Sequence, residues 1–256
     1  MKLVFLAGKG ESTIFMYNAL KTDFLIEKVL IEERVPSKQL IKRRIKRLGL
    51  PKVINQLLFQ IIISKGLKFF SKKRISHLKK NHKLSSESIP KDKILNIPSV
   101  NDDLCLEALK KLDPDVVIVN GTRIISKRIL QSINGIFINS HVGITPQYRG
   151  VHGAYWALIN NDAKNCGVTI HLVDSGIDTG SILKQATIFP EKKDNFITYP
   201  YHQYGVTTKL MKEVLSSFQN KNLRPFKKDN VESNLYYHPT FTGYVKNFIF
   251  KNPLNP

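Results

Sequence analysis

Short apolar runs that alternate with helical patterns are the feature that most constrains the fold of this chain. Residues 2–7 predict a buried strand, Gly8-Lys9-Gly10 a turn, and residues 12–20 a helix, before a second strand at residues 29–31. An opening of strand, glycine turn, helix and strand is typical of a doubly wound α/β sheet.

The same alternation of strand and helix patterns returns in the second half of the chain. Helices are predicted at residues 104–109, 124–130 and 207–218, and strands at residues 115–119, 136–139, 168–173 and 181–188. Because the pattern changes after residue 190, we expect a main domain at residues 1–190 and a small helical and aromatic C-terminal extension at residues 191–256.

Positive charge is concentrated in one segment. Fifteen basic and no acidic side chains lie between Pro36 and Lys83, and subtracting these 15 from the net charge of +20 leaves +5 for the rest of the chain. Helical spacing on both sides of Gly49–Pro51 predicts an inserted helical hairpin at residues 36–83. Such a hairpin could simply be solvated, could lie on anionic lipid through a basic helix with an apolar face, or could bind RNA.

Cysteine usage and the apolar runs indicate a soluble protein of a reducing compartment. Cys105 and Cys166 are far apart and belong to no CxxC motif or Cys/His cluster, so we expect neither a disulfide nor a metal site. The longest apolar run, residues 57–63, is shorter than the ~20 residues that a membrane span needs. We therefore expect a cytoplasmic location, with the inner face of the membrane as the alternative.

Two segments place polar side chains where predicted strands end. Asn139-Ser140-His141 closes one strand, and residues 171–180 carry a second strand into a turn rich in Gly and Asp. Ligands of open α/β sheets bind at the carboxyl ends of strands, so an amide, an imidazole and a carboxylate there could move protons and stabilise an oxyanion. The alternative is that these residues only cap turns.

The wider sequence around these segments resembles the folate-dependent formyltransferase family. Residues 139–150, Asn-Ser-His-Val-Gly-Ile-Thr-Pro-Gln-Tyr-Arg-Gly, are similar to its Asn-x-His…Pro-x-Tyr-Arg-Gly signature, and residues 167–180 are similar to its second signature. Residues 115–126 also resemble the strand and loop that hold the folate pterin in relatives. The resemblance covers roughly residues 1–35 and 95–190 and implies a Rossmann-like fold of the formyltransferase type.

This resemblance implies transfer of a formyl group from 10-formyltetrahydrofolate to an amine, without a metal. Asn139 would hydrogen-bond the formyl oxygen, and His141 would stabilise the oxyanion and help to move protons. Asp178 would orient His141 and accept the proton that the attacking amine releases. These roles suit the chemistry, because amine attack on the formyl carbon puts negative charge on oxygen and positive charge on nitrogen.

The resemblance also assigns binding positions. The pterin would be held mainly by backbone near Arg123, Ile124 and Ile125, with Asp174 either beside the cofactor or only a turn residue. Substrate contacts are expected at Gly8, Gly10, Ser12, Arg149 and His171. The first three resemble the phosphate loop of glycinamide ribonucleotide formyltransferases, where a helix N-terminus holds an anion, although Glu11 would repel it. Arg149 could instead tie its loop down, and His171 could be structural.

Three amines compete as the acceptor. Glycinamide ribonucleotide is disfavoured by the insertion and the extension, and initiator tRNA by the short segment after residue 190. The expected acceptor is an amino sugar carried on a nucleotide, as in surface polysaccharide (O-antigen or lipopolysaccharide) assembly, handled by a homodimer that does not bind nucleic acid. A formylfolate hydrolase and a non-catalytic protein that binds membrane or RNA through residues 36–83 are the alternatives from other classes.

Overall fold

A seven-stranded mixed β-sheet with helices on both faces forms the centre of the computed structural model, which describes residues 1–250. The strands are β1 (Lys2–Gly8), β2 (Leu25–Glu32), β3 (Ile94–Ile97), β4 (Val116–Asn120), β5 (Ile136–His141), β6 (Arg149–Gly150), β7 (Gly167–Leu172), β8 (Ile182–Thr187) and β9 (Leu235–Tyr236). The helices are α1 (Glu11–Leu20), α2 (Ser37–Leu48), α3 (Leu50–Phe70), α4 (Lys72–Asn81), α5 (Asp103–Leu112), α6 (Lys127–Leu130), α7 (Gly153–Ile159), α8 (Tyr199–Gln219) and α9 (Phe241–Phe250).

The order of the strands confirms the predicted doubly wound α/β sheet. It is β3-β2-β1-β4-β5-β7-β8, and the first five of these strands run parallel. β7 pairs antiparallel with β5, and β8 pairs antiparallel with β7. All five residues of β4 are buried, as expected for a central strand that is covered by helices on both faces.

Two apolar layers hold the helices on the sheet. On one face, α1 and α8 pack against β1 and β4, with Met211 and Leu215 of α8 among the fully buried side chains. On the other face, Leu109 of α5 and Ile129 of α6 are completely buried against the same strands. Packing on both faces leaves the carboxyl ends of the parallel strands as the open edge of the domain.

The basic insertion joins β2 to β3 and consists of three helices, whereas the sequence predicts a two-helix hairpin. α2 and α3 meet at the predicted break beside Gly49, and α4 follows. Val53, Gln56 and Phe59 of α3 are at most 1% exposed, because this face packs against the domain. The insertion is therefore integrated into the fold along one side of α3.

The opposite side of α3 is apolar and open to solvent. Leu58, Ile61 and Ile62, which share a helical face in the sequence, are between 42% and 56% exposed. Within residues 1–250, α3 is the one helix long and apolar enough to cross a membrane, judged by length and composition only. The helix is longer than the apolar run at residues 57–63 because it extends beyond that run in both directions.

Three further contacts attach the insertion and the C-terminal extension to the rest of the fold. Arg74 of α4 forms an ion pair with Asp194, which precedes α8, with Nε 2.8 Å from Oδ1. In the C-terminal extension, β9 pairs in parallel with β6, and Tyr244 of α9 lies against Phe59 of α3. The helix α8 begins at Tyr199, earlier than the predicted start at residue 207, and β3 is a strand that the sequence pattern did not indicate.

Candidate active site

A cleft of about 580 Å³ lies at the carboxyl ends of β4 and β5. Its walls come from the loop after β4, the end of β5, the turn after β7, the basic insertion and the C-terminal extension. In the pairing of β5 with β7, Asn139 stands opposite His171, so the two sequence segments that end in polar residues meet on one wall. A volume of this size suits a small-molecule ligand.

The amide of Asn139 is held by two other polar side chains of the site. Its Nδ2 donates to His171 Nε2 at 3.1 Å and to Asp178 Oδ1 at 3.4 Å. His171 Nδ1 donates to the Leu172 carbonyl oxygen at 2.7 Å, and its Nε2 lies between the Asn139 amide and Asp178 Oδ1, which is 3.6 Å away. His171 is 3% exposed, and its contacts orient the amide.

The imidazole of His141 is buried and faces Asp178. Its Nε2 donates to the Tyr148 carbonyl oxygen at 2.8 Å, and its Nδ1 lies 3.4 Å from Asp178 Oδ2. Burial lowers the pKa of His141, although the Asp178 charge and the bond to Tyr148 act in the opposite direction. The ring is therefore neutral at pH 7, and its Nδ1 can accept a proton beside a carboxylate that stabilises the resulting charge.

Asp178 is fixed as a carboxylate at the centre of this group. Its backbone has a φ of 53°, a left-handed conformation that Asp tolerates better than most residues. Its Oδ2 accepts the N–H of Gly150 at 2.9 Å. Burial would raise the pKa of Asp178, but the His171 and His141 rings and the N–H of Gly150 lower it to about 2. Asp178 is consequently ionised throughout the neutral pH range.

The Tyr148-Arg149-Gly150 segment organises the site largely through its backbone. The Tyr148 carbonyl holds His141, and the Gly150 N–H holds Asp178. Arg149 Nη1 donates to the Ile177 carbonyl at 3.1 Å, so this side chain ties down the turn that carries Asp178, and it is not among the residues that line the cleft. The sequence signature marks this segment, but side-chain chemistry alone does not reveal the two backbone contacts.

The loop after β4 contributes Arg123, Ile124 and Ile125 to the cleft wall. The Arg123 side chain is turned to Glu32, with Nε 3.3 Å from Oε1, and its backbone N–H donates to the same carboxylate at 3.0 Å. Ile124 is 57% exposed, whereas Ile125 is buried. The loop therefore offers apolar surface and backbone groups to a ligand, while the charge of Arg123 is already paired.

The other positions expected in the site are not all brought together. Asp174 lines the cleft, and its Oδ1 accepts a backbone N–H of its own turn at 3.0 Å. Ser12 lines the cleft, whereas Gly8 and Gly10 do not. A Cβ at Gly8 would lie 2.5 Å from the Gly121 carbonyl oxygen, so a glycine is required there by the close approach of two backbones. Within residues 1–250, no group of three or more His, Cys, Asp or Glu side chains is arranged to hold a metal ion.

Two walls of the cleft come from the basic insertion and the C-terminal extension. The insertion supplies Arg44, Arg47, Leu48 and Gln56, and the extension supplies Leu235, Tyr236, Tyr237 and His238. Both segments lie outside the two signatures, and helical periodicity does not show where a helix docks. The pairing of β6 with β9 is what brings the extension to the signature loop.

Comparison with known proteins points to one family. A sequence model of the formyl transferase family matches residues 64–203, which is more than half of the chain. A curated methionyl-tRNA formyltransferase from Caldanaerobacter subterraneus subsp. tengcongensis is 31% identical over 163 residues, which make up 63% of this chain and 52% of that protein. The chain thus spans about half the length of this relative.

Solved structures share the fold at low sequence identity. A sugar N-formyltransferase from Shewanella sp. FDAARGOS_354 gives a TM-score of 0.57 at 16% identity, over 92% of this chain and 76% of that chain. An N-formyltransferase from Helicobacter canadensis, solved in complex with folinic acid and dTDP-3-aminofucose, gives a TM-score of 0.53 at 20% identity, over 92% of this chain and 70% of that chain. These likenesses concern the fold alone.

Proposed function

Because this chain belongs to the formyl transferase family, we propose that it transfers a formyl group from 10-formyltetrahydrofolate to the amine of an acceptor. The observation that carries this proposal is the convergence of Asn139, His141 and Asp178 on one cleft, with the carboxylate 3.4 Å from both the amide and the imidazole. An ionised carboxylate, a neutral imidazole and an amide donor are the groups that acyl transfer to an amine needs.

The proposed reaction begins when the amine nitrogen of the acceptor bonds to the formyl carbon. Negative charge then develops on the formyl oxygen, and the Asn139 amide exchanges its long 3.4 Å contact with Asp178 for a hydrogen bond to that oxygen. Loss of one such donor typically costs about 2.7–4 kcal/mol of transition-state stabilisation. Asp178, freed from that contact, accepts the proton released by the attacking nitrogen.

The second half of the reaction breaks the bond between the formyl carbon and the folate nitrogen. That nitrogen leaves with a proton, and His141 is placed to move it, because its Nδ1 lone pair faces the carboxylate of Asp178 at 3.4 Å. His171 keeps the amide in place through its 3.1 Å bond to Asn139. The products are a formamide on the acceptor and tetrahydrofolate.

The loop after β4 fits the flat, partly apolar pterin of the folate. Ile124 presents apolar surface on the cleft wall, and the neighbouring backbone offers donors and acceptors to a ring edge. Arg123 would contribute backbone only, because its guanidinium is engaged with Glu32. We assign the folate to this wall and the acceptor to the rest of the cleft.

The test is incubation with 10-formyltetrahydrofolate, with and without amino-sugar nucleotides, and measurement of tetrahydrofolate and formamide. Product that forms only with the acceptor supports transfer, product without it indicates a hydrolase, and unchanged folate indicates a binding protein. His141→Ala should lower kcat/KM by about 10²–10⁴-fold. The control is His77→Ala, an exposed histidine on α4, and equal activity of the two variants would contradict the mechanism.

For the acceptor, we propose an amino sugar linked to a nucleotide. The cleft of about 580 Å³ is of small-molecule size, and two aromatic side chains of the extension, Tyr236 and Tyr237, line it. The Helicobacter canadensis protein with the same fold was solved with dTDP-3-aminofucose, whereas curated sequence relatives are methionyl-tRNA formyltransferases matched over 29–52% of their length. Formylation of aminoacylated initiator tRNA at a higher kcat/KM than any amino-sugar nucleotide would overturn this choice.

We also propose that the enzyme works in the cytoplasm and docks on anionic membrane through α3. Its exposed apolar face ends in Phe69 and Phe70, which are 64% and 84% exposed. Exposed lysines at positions 52, 65, 68 and 72 flank this face, and no acidic residue occurs between residues 36 and 83. An amphipathic basic helix of this kind lies in the lipid interface, and the burial of Phe59 on its other side keeps it attached to the domain.

Sedimentation with lipid vesicles tests this contact. We expect binding to vesicles that contain phosphatidylserine, weaker binding in high salt, and little binding to neutral vesicles. Phe69→Ser/Phe70→Ser should reduce binding by about tenfold or more, whereas Phe189→Ser, an 81% exposed side chain elsewhere, should not. If the double variant instead converts a dimer to a monomer and leaves vesicle binding unchanged, the face belongs to a homodimer.

A further inference from the structure

Arg44 and Arg47 of the basic insertion line the same cleft as the catalytic group. They lie three positions apart on α2, which is close to one helical turn. Arg44 is half-buried and Arg47 is exposed. In the part of the chain that the structure describes, neither guanidinium forms an ion pair with a carboxylate.

Arg44 is held in place by a buried relay. Its Nη2 donates to Gln56 Oε1 at 2.6 Å, and Gln56 Nε2 donates to the His238 carbonyl oxygen at 2.7 Å. Gln56 is 0% exposed. An apolar side chain would usually occupy such a buried position, and here the amide orients the guanidinium of Arg44 instead. Burial also lowers the pKa of His238 to about 4, and this ring therefore adds no positive charge at neutral pH.

Arg47 is placed by an aromatic ring. Its guanidinium carbon lies 4.7 Å from the centroid of the Tyr237 ring, a cation–π contact that leaves the N–H groups free for a ligand. The two arginines repel each other, and burial and the charge of Arg47 both lower the pKa of Arg44. A half-buried cation beside an exposed one, neither with a carboxylate partner, is an arrangement that a bound anion would complete.

The negative and positive groups of the cleft therefore lie on different walls. Asp178 and the neutral His141 occupy the strand-end wall, and the two unpaired arginines occupy the wall built by the insertion. A ligand that fits both walls carries an amine at one end and an anionic group at the other. The planar, charged forks of arginine are best matched by phosphate oxygens.

We propose that Arg44 and Arg47 bind the phosphate or diphosphate group of the formyl acceptor. This subsite rests on the proposed formyl transfer, since it identifies the anionic end of the acceptor. It assigns to the insertion a role in substrate recognition that is separate from its outward apolar face. The diphosphate could be linked to a nucleoside or to a lipid, and the experiment separates these two sources.

The experiment is calorimetric titration of the full chain with inorganic pyrophosphate, thymidine and uridine diphosphates, and farnesyl diphosphate. Arg44→Met/Arg47→Met should weaken diphosphate binding on the order of a hundredfold or more. Arg43→Met/Lys46→Met removes the same charge from exposed positions of α2 that do not line the cleft, and it should change affinity less than about threefold. Tighter binding of the nucleoside forms assigns a nucleotide-linked acceptor, and tighter binding of farnesyl diphosphate assigns a lipid-linked one.

Equal loss of affinity in the two double variants, or no loss in either, overturns the subsite. Thermal unfolding of both free variants shows whether α2 has kept its structure, and Gln56→Leu should weaken the same titration by removing the orientation of Arg44. Because the titration needs no formyl transfer, it is independent of the reaction. Diphosphate binding without transfer to any amine would reject the proposed function, whereas transfer with an unchanged acceptor KM in Arg44→Met/Arg47→Met would reject only this subsite.

Discussion

Replacement of Arg74 tests whether the basic insertion is an integral part of the fold. Its Nε and Nη2 donate to the two carboxylate oxygens of Asp194, each at 2.8 Å. The side chain of Arg74 is 10% exposed and that of Asp194 is 0% exposed, so water screens this pair poorly. Arg74→Met keeps most of the packing of the side chain and leaves a buried carboxylate without its cation.

The size of the loss follows from what remains around the carboxylate. Breaking a buried ion pair from one side typically costs about 3–5 kcal/mol. In Arg74→Met, Asp194 Oδ2 would keep His202 Nε2 and the Glu191 N–H, both at 2.8 Å. The buried Nη1 of Arg74 has no hydrogen-bond partner, and this limits how much the ion pair contributes to the free energy of unfolding. We therefore expect a loss of about 3 kcal/mol in the free energy of unfolding, at the lower end of that range.

Urea denaturation at pH 7 measures this loss, with Lys212→Met as the matched control. Lys212 pairs with Asp23, but the two side chains are 38% and 47% exposed, so that replacement should cost less than about 1 kcal/mol. A loss in Arg74→Met as small as in the control would show that the pair does not anchor α4, and the reasoning from burial would fail.

The pH dependence gives a second check on the same pair. Burial would raise the pKa of Asp194, but Arg74 and His202 lower it well below its usual range. A lowered folded-state pKa means that the stabilisation is fully present above the unfolded-state value of about 4 and is lost progressively as the pH falls from that value through the folded-state pKa. The difference between wild type and Arg74→Met should be constant from pH 5 to 8 and shrink below about pH 4. A difference that is undiminished at pH 3 would refute this account.

Three further outcomes test the site and the insertion. Asp178→Asn should lower kcat by about 10²–10⁴-fold with little change in thermal stability. Because the pKa values of Asp178 and His141 are both lowered, the wild-type rate should stay level as the pH falls through 6.5. A wild-type rate that halves near pH 6.5 would contradict this expectation. Gly143→Ala would place a Cβ 2.6 Å from His141 Nε2 and 2.4 Å from the Tyr148 carbonyl oxygen, so it should break that hydrogen bond and lower kcat by about tenfold or more. Gly66→Ala, where nothing lies within 4 Å, should stabilise α3 by about 0.5–1 kcal/mol in urea denaturation and leave kcat unchanged.

The parts of the fold that the sequence predicts are those set by local patterns. The apolar run of β4 is buried on both faces, so its five residues read as a strand without any knowledge of neighbours. Parallel strands end at one edge of a sheet, and this rule places Asn139 and His141 at a ligand site before any contact is known. The contact between Asn139 and His171 depends on the register of β5 against β7, which no local sequence pattern reveals.

The placement of α3 could not be predicted from its pattern. Periodicity normally assigns the apolar face of a helix to the core, but here Ile61 and Ile62 face solvent while Gln56 is completely buried. The buried amide is stable because Arg44 and the His238 carbonyl satisfy both of its ends. These partners lie 12 and 182 residues away, so no local window could have paired them.

The exposed apolar side of α3 and the cleft-lining arginines of α2 are proposed to have different functions, and these functions can be tested separately. If α3 holds the enzyme on anionic lipid while Arg44 and Arg47 bind diphosphate inside the cleft, the two variants should have independent effects. Phe69→Ser/Phe70→Ser should reduce vesicle binding by about tenfold or more and leave the KM for a water-soluble acceptor unchanged, because neither phenylalanine lines the cleft. Arg44→Met/Arg47→Met should raise that KM and, because both side chains line the cleft, weaken vesicle binding by much less than the roughly thirtyfold expected for two basic residues at the lipid surface at about 1 kcal/mol each. A variant that impairs both properties to the same degree would show that the insertion serves a single lipid-facing site.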